Sequence, residues 1–108
     1  MTMFRDFEEE PAYVISIAAR MVGMHAQTLR YYERVGLVTP SRTQGNIRLY
    51  SQRDVERLLQ IQRLVNDLGL NLAGVDVILR MTQQIEELQQ QLMAAHIEIA
   101  RLREGRQQ

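Results

Sequence analysis

The sequence predicts a mainly α-helical protein, in which a winged helix-turn-helix domain is followed by a long C-terminal helix that dimerises as a coiled coil. Two short helix patterns are joined by a tight turn, a hairpin pattern follows, and the last third of the chain has an apolar heptad repeat. We expect a flexible acidic tail over residues 1–12, the winged domain over 13–74, the coiled-coil helix over 75–103 and a frayed tail over 104–108.

The first two helices are marked by their ends. In YVISIAARMVG, Ser16 is the expected N-cap of a helix of about two turns that ends at Gly23. The stretch MHAQTLRYYERVG predicts a second helix, with His25 at the cap position, Leu29 facing inward and Gly36 as the stop. Two short helices joined so closely form a helix-turn-helix.

A hairpin and a third helix are expected next. LVTPSRTQGNIRLYS has Gly45-Asn46 between short extended runs, and its Ile47 and Leu49 alternate with Arg48 and Tyr50, which predicts a β-hairpin that forms a wing. Ser51 and Asp54 form a capping box that begins a third helix, which Gly69 ends. The residues expected on its inner face are Val55, Leu58, Leu59, Gln62 and Val65.

The C-terminal part of the chain predicts one long helix, whose start Asn71 can cap. Apolar residues occupy the a and d positions of four unbroken heptads: Ile78, Met81, Ile85, Leu88, Leu92, Ala95, Ile99 and Leu102. A helix this exposed cannot bury such a stripe alone, so we expect a homodimer. Packing of the helix within its own chain is the weaker alternative.

Composition limits the classes of function. The chain has 108 residues, enough for one compact domain and one extended element, and we expect no second, ligand-binding domain. It has no cysteine, and its two histidines, His25 and His96, do not make a metal site, so neither a metal nor a cofactor is expected. Paired carboxylates, a nucleophile with a base and a phosphate loop are all missing from the sequence, so we do not expect an enzyme.

The location expected from the sequence is the cytoplasm. Apolar runs fall short of the ~18 residues that a membrane helix needs, so no contact with a membrane is expected. The opening MTMFRDFEEEP is acidic, whereas a signal or transit peptide would be basic.

The net charge of zero conceals an uneven distribution. Residues 1–10 carry one arginine and four acids (net −3), residues 11–66 carry eight arginines and three acids (+5), and residues 67–108 carry four arginines and six acids (−2). All the basic residues are arginines, whose planar guanidinium suits phosphate and guanine, although a genomic bias toward arginine explains this equally well. The basic middle segment indicates an anionic partner.

The second helix offers polar groups that could contact DNA. Of its paired tyrosines, Tyr32 is expected to pack inward and Tyr31 to face outward beside Thr28, Arg30 and Arg34. In a helix-turn-helix the second helix enters the major groove, where arginine reads guanine and tyrosine hydroxyls contact the backbone. The arginines of the wing, Arg42 and Arg48, would lie on phosphates or in the minor groove.

Each of these residues also has a structural interpretation. Arg30 or Arg34 can pair with Glu33 or Asp54 at the surface. Tyr50 can anchor the wing to the third helix, and His25 can be no more than a poor N-cap. Spacing alone therefore favours DNA binding over a helical interaction module without excluding the latter.

Four pieces of the sequence carry a family resemblance. TLRYYE, GLVTPSR, RLYS and LGLNLAGV, in this order and within residues 14–80, resemble the DNA-binding domain of the MerR family of bacterial transcription regulators. SRTQGNIRLYS with NLAGV, a short C-terminal helix and no cysteine is similar to the heat-shock repressor branch, the HspR type. The resemblance implies an antiparallel coiled-coil homodimer that binds inverted repeats upstream of chaperone genes as a repressor, is nucleoid-associated when bound, and uses the chaperone DnaK as co-repressor.

The resemblance also implies DNA contacts at particular positions. Together with the spacing, it gives an expected set of Ser16, His25, Gln27, Thr28, Arg30, Tyr31, Tyr32, Arg34, Arg42, Asn46, Arg48 and Tyr50. The chain departs from the family pattern at His25, where many members have Ser or Thr. It also has Asn46, Ile47 and Arg48 in the wing, where many members have Gly-Tyr-Arg.

Two other functions are compatible with the sequence. A MerR-type activator that responds to a metal or a drug is disfavoured, because the chain supplies neither thiolates nor a pocket domain after the coiled coil. A protein of another class, a coiled-coil adaptor, would use the basic segment to bind an acidic protein. A salt titration with specific and random DNA separates a regulator from an adaptor.

Overall fold

The computed structural model describes residues 7–107 of the chain and confirms the mainly helical fold. The elements are β1 (Tyr13–Val14), α1 (Ile15–Val22), α2 (Ala26–Arg34), β2 (Ser41–Arg42), β3 (Arg48–Tyr50), α3 (Gln52–Asn66) and α4 (Leu72–Gln107). They form two compact units that divide between Leu70 and Asn71, whereas the expected boundary lay after residue 74.

Helix α1 begins one residue before the predicted cap. Its N-cap is Val14, whose side chain cannot accept a hydrogen bond, and Ser16 lies inside the first turn, so the prediction of Ser16 as N-cap is wrong. The reason is that strand β1 leads directly into the helix. The C-terminal end is as predicted: Gly23 adopts a left-handed conformation with φ 69°, and the Met24 amide donates to the Ala19 carbonyl at 3.0 Å.

Helix α2 follows α1 after three residues, which completes the predicted helix-turn-helix. Its N-cap, His25, makes no hydrogen bond through its side chain, as expected of a poor cap. Leu29 and Tyr32 are buried, as their spacing predicted. After the helix, Gly36 has φ 84° and the Leu37 amide donates to the Tyr32 carbonyl at 2.9 Å, which turns the chain back over the core.

The wing is part of a three-stranded sheet rather than an isolated hairpin. Strands β2 and β3 pair antiparallel, and β1 pairs on the other side of β3, so the order is β1-β3-β2. The sequence did not predict β1, which is only two residues long. The alternation in the wing predicted the hairpin, but its buried member is Tyr50, which is 0% exposed, whereas Ile47 is 56% exposed.

Helix α3 begins at the predicted capping box. The Asp54 amide donates to Ser51 Oγ at 3.0 Å, and the Ser51 amide donates to Asp54 Oδ2 at 2.9 Å. The buried residues are Val55, Leu58 and Ile61. The predicted inner face therefore needs correction: Ile61 was missed, and Leu59 is 37% exposed because it lies about 100° around the helix from Leu58.

The two remaining residues of the predicted inner face are only partly covered. Gln62 and Val65 of α3 are both half-buried, at the edge of the stripe. After the helix, Gly69 has φ 67° and the Leu70 amide donates to the Leu64 carbonyl at 3.0 Å, as expected of a glycine that ends a helix.

The acidic N-terminal segment is attached to the first unit in its described part. Residues 1–6 of the predicted flexible tail lie outside the described residues. Glu8 and Glu9 lie 3.8 and 3.7 Å from guanidinium nitrogens of Arg53, and the Ala12 amide donates to the Tyr50 carbonyl at 3.1 Å. These contacts place residues 8–12 beside Arg53 and Tyr50, and the flexibility of the tail stays a prediction.

Helix α4 is continuous over 36 residues, and Asn71 Oδ1 accepts from the Gly74 amide at 2.8 Å, as the predicted cap requires. It extends to Gln107, beyond the predicted end at residue 103. Its apolar a and d side chains are exposed in the single chain, from 36% at Ile78 to 62% at Leu88. Within residues 7–107, no helix is long and apolar enough to cross a membrane.

Candidate nucleic-acid interface

Helix α2 presents one outward face, which we call the α2 face: the exposed Gln27, Tyr31 and Arg34, and the half-buried Arg30. These positions are three or four residues apart and so lie on the same side of the helix. Arg30 Nη1 donates to Gln27 Oε1 at 2.8 Å, and the Arg34 guanidinium carbon lies 5.7 Å from the centre of the Tyr31 ring. Most guanidinium N–H groups of this face therefore remain available to an anionic partner.

The other side of α2 faces the core and α3. His25, Thr28 and Tyr32 line a shallow pocket, which the turn before α2 and the C-terminal half of α3 complete. Thr28 is half-buried, whereas His25 is exposed. Burial, and after it the neighbouring Tyr31, raises the pKa of Tyr32, which is only 8% exposed. The Tyr32 ring packs in the core, as its spacing predicted, and the DNA contact implied for this residue stays a prediction.

A carboxylate on α2 joins the helix to the wing. Glu33 Oε2 accepts from Arg42 Nη2 at 3.0 Å, and Glu33 Oε1 accepts from Arg48 Nε at 2.5 Å. Partial burial acts to raise the pKa of Glu33, but the hydrogen bonds and charges of Arg48 and Arg42 outweigh it, so this pKa lies below its ordinary value. We call these three residues the Glu33 cluster.

The Glu33 cluster bears on the expected surface ion pairs of the arginines on α2. Arg30 and Arg34 make no ion pair with any residue between 7 and 107, although both were candidates to pair with Glu33 or Asp54. Glu33 binds the wing arginines instead, and Asp54 belongs to the capping box. The positive charges of the α2 face are therefore not neutralised by nearby acids.

The tip of the wing is exposed and its backbone is fixed. Asn46 adopts a left-handed conformation with φ 64°, and its carbonyl accepts from Arg42 Nη1 at 3.2 Å. The Thr43 amide donates to the Ile47 carbonyl at 2.9 Å, which closes the loop. Asn46 and the exposed Ile47 thus lie at the outer end of the wing. Outside the wing, Ser16 of α1 is also exposed.

Tyr50 is not on the surface. It is fully buried, and its hydroxyl has no hydrogen-bond partner in the part of the chain that the structure describes. Burial, and after it the charge of Glu33, raises the pKa of this phenol. The expectation that Tyr50 contacts DNA is therefore corrected: β3 turns its ring into the core, where it anchors the wing, which was the alternative interpretation.

Three roles were not predicted from the sequence. Glu33 was considered only as a partner of α2 arginines, because its wing partners lie 9 and 15 residues away. Arg57 Nε donates to the Leu37 carbonyl at 2.5 Å and so fixes the segment between α2 and the wing. Arg53 lies within ion-pair distance of both Glu8 and Glu9. Only contacts between distant segments reveal these roles.

Fold and surface together define a winged helix-turn-helix protein with an arginine-bearing α2 face and wing. Within the described range, 7–107, no group of three or more His, Asp or Glu side chains could hold a metal ion. The family model for MerR HTH family regulatory proteins matches residues 13–82. The chain therefore belongs to the MerR family of helix-turn-helix regulators, as its motifs predicted.

Relatives by sequence are regulators rather than enzymes. A protein assigned as heat shock protein HspR in Streptomyces coelicolor is 54% identical over 82 residues, which is 76% of this chain and 54% of that protein. The regulator GlnR of Bacillus anthracis is 41% identical over 85 residues, 79% of this chain and 65% of that protein. The chain thus spans about half to two thirds of the length of these relatives.

Two solved structures show a similar fold. The regulator PbrR691 from Ralstonia metallidurans CH34, in complex with lead(II), is 28% identical and has a TM-score of 0.62, covering 85% of this chain and 74% of that one. HiNmlR, a MerR family regulator that lacks the sensor domain and is bound to promoter DNA, is 24% identical with a TM-score of 0.60, covering 84% and 75%. The second likeness concerns the fold alone.

Proposed function

We propose that this chain is a sequence-specific, DNA-binding transcription regulator that acts as a homodimer. The observation that carries the proposal is the α2 face: Arg30 and Arg34 are not neutralised by acids, and they stand on the second helix of a helix-turn-helix beside a wing that bears two more arginines. A location in the cytoplasm, on the nucleoid when bound, follows from DNA binding and is part of the proposal.

In the proposed complex, α2 enters the major groove of a DNA duplex. Arg30 and Arg34 reach base edges, with guanine as the preferred partner, and the Tyr31 hydroxyl contacts the backbone. The wing arginines, Arg42 and Arg48, bind phosphates beside the groove. Further backbone contacts are assigned to exposed or half-buried residues at the edges of this surface: Ser16, His25, Gln27, Thr28 and Asn46.

The dimer is proposed to form through α4. The exposed a and d side chains of α4 need a partner, and a second copy of the helix in antiparallel orientation supplies a matching stripe. A two-fold dimer fits an inverted repeat, with the two α2 helices in successive major grooves roughly 34 Å apart. Bending of the DNA between the half-sites is part of the proposal.

The regulated genes are proposed to be heat-shock or chaperone genes. Support comes from the 54% identity with the protein assigned as HspR, together with the wing and NLAGV segments that resemble that branch. On this proposal the protein is a repressor and the chaperone DnaK is its co-repressor. Footprinting of the DNA upstream of the chaperone operon tests it: we expect protection that DnaK strengthens, and an unprotected region would contradict the assignment.

Base reading by the α2 face is tested by substitution. We expect Arg30→Ala to weaken binding to the preferred duplex by ~1–3 kcal/mol and to reduce sequence preference, because a base contact is lost. Arg42→Ala should weaken binding to all duplexes similarly, because it removes a positive charge that attracts the phosphates of any sequence. Arg103→Ala, an equal change of charge on α4, is the control and should have little effect. Unchanged specific binding by the Arg30 variant would remove Arg30 from the interface.

Two rival functions make different predictions. A MerR-type activator that responds to another signal would bind the same kind of site but raise transcription when its signal is present. An adaptor of acidic proteins would use the same arginines without any preference among DNA sequences. Transcription in vitro from a promoter that carries the bound site separates a repressor from an activator.

A further inference from the structure

The wing carries two arginines directly opposite each other. Arg42 on β2 and Arg48 on β3 are partners in the antiparallel register. Like charges at such positions repel and destabilise a hairpin. Glu33 contacts both guanidinium groups, at 3.0 and 2.5 Å, and so offsets their repulsion. One carboxylate thus connects α2 with both strands of the wing.

The Glu33 cluster leaves donors for another anion. A guanidinium group has five N–H donors. Arg42 uses one on Glu33 and one on the Asn46 carbonyl, and Arg48 uses one on Glu33. The two arginine side chains are 37% and 25% exposed, whereas the Glu33 side chain is 22% exposed. The cluster therefore offers several fixed N–H groups beside the α2 face.

An acid at a phosphate-binding surface needs an explanation. Its charge repels the DNA backbone, so charge alone predicts that its removal would strengthen binding. Glu33 also fixes two flexible side chains before any partner arrives. Ordering such side chains during association weakens binding, so a cluster that is ordered beforehand favours one docked geometry. The charge of Glu33 should weaken DNA binding, whereas its ordering of the two arginines should strengthen it. Because the two effects change the affinity in opposite directions, substitutions can separate them.

We propose that Glu33 is a positioning residue of the DNA-binding surface. It sets the guanidinium groups of Arg42 and Arg48 relative to α2, so that the wing binds two neighbouring backbone phosphates while α2 occupies the adjacent major groove. This inference rests on the proposed function. It assigns to an acidic residue a role in distinguishing a preferred DNA site from random sequence, although that residue need not contact DNA.

Three variants test the proposal. Glu33→Gln removes one negative charge and weakens both contacts, and Glu33→Asp keeps the charge but is too short to reach both arginines. Glu56→Gln is the matched control, since Glu56 is exposed on α3 and makes no ion pair within the described part of the chain. The probes are a duplex that the unmodified protein selects from a random pool and a scrambled duplex of equal length. Binding is measured by fluorescence anisotropy at one salt concentration.

We expect both Glu33 variants to bind the selected duplex roughly tenfold more weakly. Binding to the scrambled duplex should be unchanged for Glu33→Asp and equal or tighter for Glu33→Gln. Glu56→Gln should bind both duplexes equally or more tightly, because it changes charge alone. The ratio of the two dissociation constants is the diagnostic quantity, since a general loss of structure would weaken both.

The proposal is overturned if Glu33→Gln behaves like Glu56→Gln, or if Glu33→Asp keeps the full preference. Circular dichroism shows whether each variant is folded. If the Glu33 variants unfold, Arg48→Lys is compared with the unmodified protein on the same two duplexes. Lysine keeps the positive charge but lacks the guanidinium Nε–H that donates a hydrogen bond to Glu33. Failure of the proposed function itself is recognised separately: the unmodified protein would then select no sequence from the pool.

Discussion

At the scale of single residues, the structure divides the aromatic and charged side chains of the winged unit between core and surface. Tyr31 is 42% exposed, whereas Tyr32 and Tyr50 are buried at 8% and 0%. Helical spacing predicted the division between the paired tyrosines. It could not predict Tyr50, because strand alternation leaves open which of two faces is covered until the neighbouring elements are known.

Tyr50→Phe tests whether this residue has only a packing role. The Tyr50 hydroxyl is buried without a partner among residues 7–107, so its removal should leave the free energy of unfolding unchanged or raise it by up to about 1 kcal/mol. DNA affinity should not change. Urea denaturation and anisotropy titrations measure both quantities, and a clear loss of affinity in the folded variant would restore Tyr50 to the interface.

Glu33 gives the protein a predictable response to acid. Its pKa is lowered in the folded state, so its interactions stabilise the fold at pH above the ordinary value of 4.5, and this contribution is lost as the pH falls through the lowered value. The difference in unfolding free energy between the unmodified protein and Glu33→Gln should therefore shrink on acidification from pH 7. A difference that stays constant down to pH 3 would contradict this.

At the scale of elements, the sequence predicted the four helices but missed strand β1, which is two residues long. Capping boxes and left-handed glycines act over a few residues, so Ser51, Asp54 and Gly23 could be recognised locally. Strand β1 exists only because β3 lies beside it, a pairing between residues that are far apart in the chain. Ser16 was misplaced for the same reason, since β1 determines where α1 begins.

The two serines provide a matched pair for measuring capping. Ser51→Ala should lower the free energy of unfolding by about 1 kcal/mol, because the Ser51 hydroxyl accepts from the Asp54 amide. Ser16→Ala should change it by no more than a few tenths of a kcal/mol, since Ser16 caps nothing. Both values come from urea denaturation at equal protein concentration. Equal losses in the two variants would contradict the assignment of the caps.

At the scale of the whole molecule, a single chain leaves the apolar stripe of α4 uncovered. The heptads were visible in the sequence because their spacing is local. The partner and its orientation are not encoded in spacing, so the antiparallel homodimer stands as a proposal. Likewise, DNA binding was suggested by the arginines, but the contacts of Glu33 became visible only when the wing was placed against α2.

Dimer formation can be tested with one substitution in the stripe and one outside it. Leu88→Asp places a charge at a d position where the side chain is 62% exposed in the single chain, so we expect a monomer at concentrations where the unmodified protein is a dimer. Gln90→Asp, on the opposite side of α4, should remain a dimer. Sedimentation equilibrium distinguishes the two outcomes. A Leu88→Asp dimer of unchanged affinity would exclude this stripe as the interface.

On the proposed function, the α2 face and the wing recognise a particular DNA sequence. The most direct measurement is a salt titration of binding to a selected inverted-repeat duplex and to a random duplex of the same length. We expect the selected duplex to bind at least ~1,000-fold more tightly, with both affinities falling steeply as salt rises. Equal affinity for the two duplexes at every salt concentration would contradict the claim.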